Sequence, residues 1–279
     1  MTVISTVITQ YCTAHASDSL ITSLRSDGRL EQREWKKSKL VAVPHWRGII
    51  GYWGIAELGT WSTIHWLRDQ AGNASSFTSA EQFAKDLGGR LNAALKALVV
   101  RRPLDLGIGI HLSVYERISG YWIPELFHIR NWADTSYTSL LPQGVVVSRE
   151  TYATLTGDGD RDKHGDDSYR VKVHLELRGG RMLIFNNGDP RLFNPPAQAI
   201  LGLMEELRKR HLLANQNRVE TYRRLARRPI EVVSRAQADF CKQERRAVGG
   251  KPHDLAVTPG GLYSSDTGDY PGRFGTVPT

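Results

Sequence analysis

Thr2 follows Met1 and has a side chain small enough for that methionine to be removed in cells. Removal would leave a hydroxyl nucleophile and a free α-amine on one residue. A hydroxyl needs a neighbouring base, and an N-terminal amine can be that base. The unperturbed amine titrates at about 7.7–8.0, so a useful fraction is neutral near pH 7. Asp18 stands sixteen residues further on, in Ala16-Ser17-Asp18-Ser19, at the far end of a second predicted strand. Two antiparallel strands joined by a tight turn bring residue 18 back beside residue 2. Lys39 opens the next strand in Ser38-Lys39-Leu40-Val41. A lysine near the Thr2 hydroxyl stabilises its deprotonated form, and Asp18 holds that lysine charged and oriented. Gly54 follows a strand at a point where a backbone N–H can face a developing oxyanion.

These residues act together only if the chain positions them. Residues 2–22 are rich in Thr, Val and Ile with no Pro or Gly, which favours strands. Polar residues 23–36 read as a loop. Runs 39–43 and 48–54 are apolar strands around a Pro44-His45 turn, so the opening reads as antiparallel hairpins. Helical spacing follows over 60–70 and 79–99, where Phe83, Leu87, Leu91, Leu95 and Leu98 share one face. Ser79 is a candidate N-cap with Gln82 as its capping-box partner, and Pro103 forbids continuation. Strands return at 106–116 and 121–129 around Arg117-Ile118-Ser119-Gly120. Residues 130–147 read as irregular, 148–155 as a short helix and 157–167 as a charged loop. The alternation over 169–177 predicts a strand, turned by Gly179-Gly180 into 181–185. Helices are expected from Pro195-Pro196 to about 211, over 216–228 and over 233–246, with a last strand at 253–258. This order is layered α+β, not the βαβ alternation of a Rossmann fold. It gives one domain over 1–263 and a flexible tail over 264–279.

At this point the opening resembles the proteasome-type N-terminal-nucleophile hydrolases. Those proteins begin with a threonine, place an aspartate in an Ala-x-Asp-Ser setting, start the third strand with a lysine and then carry a glycine-containing turn. The matching residues are Thr2, Ala16-Ser17-Asp18-Ser19, Lys39-Leu40-Val41-Ala42-Val43 and Gly51-Tyr52-Trp53-Gly54-Ile55-Ala56. The wording is most like the bacterial proteasome homologues (Anbu and the β-proteasome homologue). Residues 248–255 also resemble their last strand, and the main match covers about 2–58. The resemblance implies Thr2 as nucleophile and, through its amine, base. It implies Lys39 as the group that tunes the hydroxyl, Asp18 as the residue that binds and orients both, and the Gly54 amide as oxyanion donor. It further implies a four-layer αββα sandwich and amide-bond hydrolysis through an acyl-enzyme, without cofactor or metal. The expected assembly is a homo-oligomeric ring or double ring, taking peptide or unfolded-protein substrates. Two departures stand out. The aspartate-to-lysine gap is longer than in typical members, which leaves Lys37, on the same strand face, as a rival to Lys39. The Ser/Asp/Ser group usual near the threonine is not recognisable.

Composition narrows the rest. Apolar residues are 40% and charged residues 24% of 279, ordinary globular usage that argues against a disordered chain. No apolar run reaches a membrane span, and the opening lacks the features of a signal peptide. Two cysteines, Cys12 and Cys241, are too few for a disulfide framework, so a reducing cytoplasm is the expected home. The net charge of +8 fits an acidic partner. However, much of the excess lies in one helical stretch, Arg223 to Arg246, and no nucleic-acid motif accompanies it, so nucleic acid is not expected. His45, His65 and His111 read as isolated structural residues without metal-ligand spacing. Cys12 reads as an inert buried thiol. The loop from Gly157 fails as a calcium loop, with Lys163 where an EF-hand needs Gly and Tyr169 where it needs Glu. Trp46, Trp53, Trp61 and Trp66 read as core or subunit interface. The competing readings are a catalytically silent ring-forming scaffold on the same fold and a small-molecule amidase.

Overall fold

The computed structural model describes residues 3–24, 30–34, 38–58, 60–98, 107–132, 141, 144–151, 167–178, 180–187, 190–212, 218–241 and 248–264. Three hairpins open the chain: β1 (Ile4–Ile8) with β2 (Thr13–Ser17), β3 (Leu20–Leu24) with β4 (Leu30–Glu34), and β5 (Leu40–Val43) with β6 (Gly48–Gly54). The short β7 (Glu57–Leu58) and β8 (Trp61–Ser62) lead into α1 (Thr63–Gly72) and α2 (Ala80–Leu98). A long hairpin of β9 (Ile108–Ile118) and β10 (Tyr121–Arg130) turns through Ser119 and Gly120, both at positive φ, and β11 (Val146–Arg149) pairs with β10. The remaining elements are α3 (Asp167–Arg178), β12 (Leu183–Asn187), α4 (Pro190–Lys209), α5 (Val219–Phe240), β13 (His253–Thr258) and β14 (Gly261–Ser264).

Two antiparallel five-stranded sheets result, ordered β12-β1-β2-β13-β14 and β11-β10-β9-β6-β5. The two-residue period of a strand explains why β1 carries no exposed face. Val3 and Val7 pack with Phe193, Tyr222, Ala226 and Ile230 of α4 and α5. Ile4, Thr6 and Ile8 point the other way, toward the second sheet, where Ile4 meets Trp53 and Ile8 meets Leu126. The outer face of the second sheet is covered by α1 and α2. Phe83, Leu87, Leu91 and Leu95 of α2 lie against Ile110, Leu112, Phe127 and Ile129. The α2 N-terminus is closed as its sequence foretells, with the Gln82 amide donating to Ser79 Oγ at 3.2 Å. The Gln82 side chain does not complete a capping box; it accepts from Thr78 Oγ1 at 2.7 Å. The molecule is thus a mixed α+β chain with helices against both sheets.

Four expectations change. Residues 30–34 are not loop but the partner strand of β3. Ser148 and Arg149 belong to β11, not to a helix. The alternation over 169–177 is a helix. Val173 and Leu177, four apart, are buried against Leu126 and Leu183, while Leu175 between them is 56% exposed. An alternating pattern also contains an i, i+4 pair, and here tertiary burial chose that pair. Accordingly β12 pairs with β1 rather than with 169–177. The two predicted C-terminal helices are one, α5. Its stripe of Tyr222, Leu225, Ala226, Pro229, Ile230 and Val233 is buried without interruption, and that packing outweighs the bond Pro229 forgoes. Helix α4 likewise begins at Pro190 and carries Pro195 and Pro196 inside it. Of the expected charged loop 157–167, residues 157–166 lie outside the described residues and Asp167 opens α3; of the expected tail 264–279, Ser264 closes β14 and the rest lies outside the described residues.

Candidate active site

Asp18 immediately follows β2, and Lys39 immediately precedes β5, so each sits where a strand end releases its side chain. The structure brings them together. Lys39 Nζ donates to Asp18 Oδ1 at 2.9 Å and to the Leu20 carbonyl at 2.6 Å. The Val3 amide donates to the same Asp18 oxygen at 3.1 Å. Both side chains are fully buried. The β1–β2 ladder pairs Ile4 with Ser17, and continuing it by one residue sets Val3 against Asp18. Thr2 and Lys37 themselves lie outside the described residues. Asp18 Oδ2 is buried and accepts no hydrogen bond among the described residues.

Burial pulls the Lys39 ammonium below the ordinary lysine value, and the charge and hydrogen bond of Asp18 pull it partly back. Gly54 ends β6 at φ +92, in the left-handed region that favours glycine. A Cβ there would lie 2.0 Å from the Gly107 carbonyl oxygen, so the position excludes other residues. With Leu40 paired to Gly51, Lys39 falls level with Tyr52, and Gly54 is two residues further along β6.

Three features of this end escaped the sequence. Tyr52 is buried, and its hydroxyl is pushed above the usual range by burial, then by Glu57 and Asp18. The Leu20 carbonyl is a backbone ligand, which residue types cannot announce. The segment at 248–250 packs onto the turn after Asp18: the Gly249 carbonyl accepts from Ser19 N and Leu20 N at 3.2 Å each. In the sequence these residues are legible only as part of the resemblance to a last strand over 248–255.

A second polar group lies deeper between the sheets. Thr6 Oγ1 and His111 Nδ1 are 2.9 Å apart, His15 Nε2 and Ser113 Oγ 2.7 Å, and Asn187 Nδ2 and His128 Nε2 2.8 Å. His111 is therefore not isolated. It stands edge-on to both His15 and His128, which join it from three different strands and so leave no spacing to read. Burial depresses His111 to about 3 and holds His15 and His128 well below the usual imidazole value, with His111 adding to both. Cys12 is buried and its thiol is pushed up to about 12, which leaves it a poor nucleophile. The Trp53 and Trp132 rings meet at a tilt of 32° with centroids 6.2 Å apart, while Trp46, Trp61 and Trp66 pack half-buried against the outer core. No group of three or more His, Cys, Asp or Glu side chains among the described residues could hold a metal ion, and no described helix is long and apolar enough to cross a membrane. A cavity of about 360 Å³ opens at the opposite end of β1, beside Thr9, Tyr11, Met204 and Tyr222. It is lined by neither Asp18 nor Lys39.

No protein-family model matches this chain, and no curated protein matches it. Among solved structures it is similar to Anbu (ancestral beta-subunit) from Yersinia bercovieri, with 12% identity and a TM-score of 0.40. The likeness covers 93% of this chain and 81% of that one.

Proposed function

We propose that this chain is an N-terminal threonine hydrolase, a peptidase with Thr2 as nucleophile. The observation that carries the reading is the double use of Asp18 Oδ1. It holds the Lys39 ammonium at 2.9 Å and the Val3 amide at 3.1 Å, which fastens a buried ion pair to the backbone directly after Thr2. In this reading the free Thr2 amine takes the proton as the hydroxyl oxygen attacks an amide carbonyl. Lys39 lowers the cost of the developing alkoxide, and the Gly54 amide donates to the oxyanion. Collapse expels the amine of the substrate, which takes up the proton, and leaves an ester on Thr2. Water then hydrolyses that ester with the same amine as base. The groups just named supply the whole proton inventory. The fold we assign is the four-layer αββα sandwich, which runs one residue past the expected 1–263 to the end of β14 at Ser264 and leaves the remainder as a tail. The working form is a cytoplasmic homo-oligomeric ring or double ring that admits peptides or unfolded chains.

Intact mass spectrometry before and after a peptide epoxyketone tests this. Loss of Met1 together with an adduct that Thr2→Ala lacks is the expected result. Retained Met1 with no adduct would overturn the mechanism and leave the silent scaffold as the better account. Thr2→Ala removes one hydroxyl and one methyl, so it should abolish turnover while folding and assembly persist.

A further inference from the structure

Gln237 is an amide on the buried face of α5, in line with Tyr222, Ile230 and Val233. Burying an amide is costly unless it is hydrogen-bonded, so its partner carries information. Its Oε1 accepts from Val248 N at 3.0 Å. Val248 is itself buried and leads directly to Gly249, whose carbonyl takes the amides of Ser19 and Leu20. Leu20 then gives its own carbonyl to Lys39 Nζ, and Ser19 is the neighbour of Asp18. Each step is one hydrogen bond or one peptide link. The 248–250 segment precedes β13, outside the sheet ladder, and Gly250 at φ +72 turns the chain into that strand.

We propose that Gln237 is a positioning residue for the Asp18–Lys39 pair, acting through the 248–250 segment on the turn that carries Asp18 and the Leu20 carbonyl. The proposal rests on the reading of that pair as part of the active site. It makes α5 more than a cover for the first sheet. Two side chains anchor the helix to β13 beside the same segment: Arg223 Nε donates to Asp254 Oδ1 at 2.5 Å, and Arg227 reaches Oδ2 at 3.2 Å. Helix, segment and turn therefore form one body, and Gln237 is the link in it that touches neither Asp18 nor Lys39.

The test uses the full chain with Gln237→Met, which keeps length and volume but removes the acceptor, and Gln237→Glu, which keeps an acceptor. Lys39 is titrated by ¹³Cε NMR, assigned with Lys39→Arg, and turnover is measured in parallel. In Q237M the loosened segment admits water to the turn, so the Lys39 titration moves up toward the ordinary lysine value. In the same variant kcat falls about tenfold with KM unchanged, because a displaced pair harms the chemical step rather than binding. Gln237→Glu restores both. A Q237M titration identical to the wild type, or equal damage in Q237M and Q237E, would overturn the proposal. Hydrogen exchange on the wild type gives an answer even if Q237M does not fold. The amides of Ser19, Leu20 and Val248 should show common protection, and unrelated protection would sink the relay. The two readings fail separately. A wild type without turnover or Thr2 adduct defeats the peptidase assignment, while the Lys39 titration still decides the link to Gln237.

Discussion

Two buried polar regions lie in the same α+β fold and solve the cost of burial in opposite ways. At the strand ends, Asp18 and Lys39 form a buried ion pair, and each is answered by the other and by backbone groups. Between the sheets, His15 and His111, with the more open His128, are held as neutral rings against hydroxyl and amide partners. A charge taken from water costs several kcal/mol even after relaxation, so a fold retains one only where geometry repays it or function needs it. Neutral rings cost much less at pH 7 and serve as polar mortar. On the function proposed above, the difference sets the proposed site apart from the histidine band without appeal to residue type, since histidine is the commoner catalytic residue and here sits in the band.

The largest effect should come from breaking the charged end. Lys39→Met leaves Asp18 buried with the Val3 amide and no counter-charge. Removing one partner of a buried pair costs about 3–5 kcal/mol. The urea midpoint of Lys39→Met should fall accordingly, and adding Asp18→Asn should recover most of the loss, since neither charge is then stranded. A loss under about 1 kcal/mol for Lys39→Met alone would show that the pair is not truly desolvated, and the contrast with the histidines would disappear.

Acid should break the other region instead. The folded values of His15 and His111 lie below the ordinary 6.5, so the unfolded chain binds protons that the folded chain refuses. Stability is fully present above about pH 6.5 and is lost as the pH falls through that value toward the folded ones. Going from about pH 7.5 to about pH 6 should remove about 2 kcal/mol, with His15 and His111 dominating because His128 retains some exposure. Urea midpoints at both pH values measure it. His111→Asn should shrink the pH-dependent part clearly, and an undiminished loss in that variant would place the acid sensitivity elsewhere.

How much of this was legible follows from what each feature is made of. Thr2, Asp18, Lys39 and Gly54 could be selected from residue type, spacing and strand ends, and the Val3–Asp18 contact needs only the β1–β2 register, whereas the Asp18–Lys39 contact also needs the two sheets to be packed. The hairpins of β1–β2 and β5–β6 were readable because continuous β-branched runs broken by Pro44 or a polar turn leave few alternatives. Helix α3 was not readable, because Val171, Val173, Leu175 and Leu177 satisfy a strand period while Val173 and Leu177 alone satisfy a helix. Only the neighbouring Leu126 and Leu183 decide between them. The histidine band was hidden because β2, β9 and β10 contribute one ring each. The 248–250 segment was hidden because its role is played by backbone atoms.

The finest test of the contrast is Ser113→Ala. Ser113 is fully buried on β9, and its hydroxyl lies 2.7 Å from His15 Nε2. Alanine removes that partner and leaves a buried ring nitrogen with little else, since Thr6 Oγ1 stands at 3.5 Å from the other nitrogen. An unsatisfied buried polar group costs about 1–3 kcal/mol, and the neutral ring places this case at the lower end. The urea midpoint should drop by that amount at pH 7.5, about one unit above the point where histidine protonation begins to matter. The rate of Thr2 labelling by an epoxyketone should stay that of the wild type, because Ser113 touches the band and not the pair. A changed labelling rate at unchanged stability would mean that the band transmits to the strand ends. The two regions would then be one polar network, with the histidines part of the reacting machinery rather than its support.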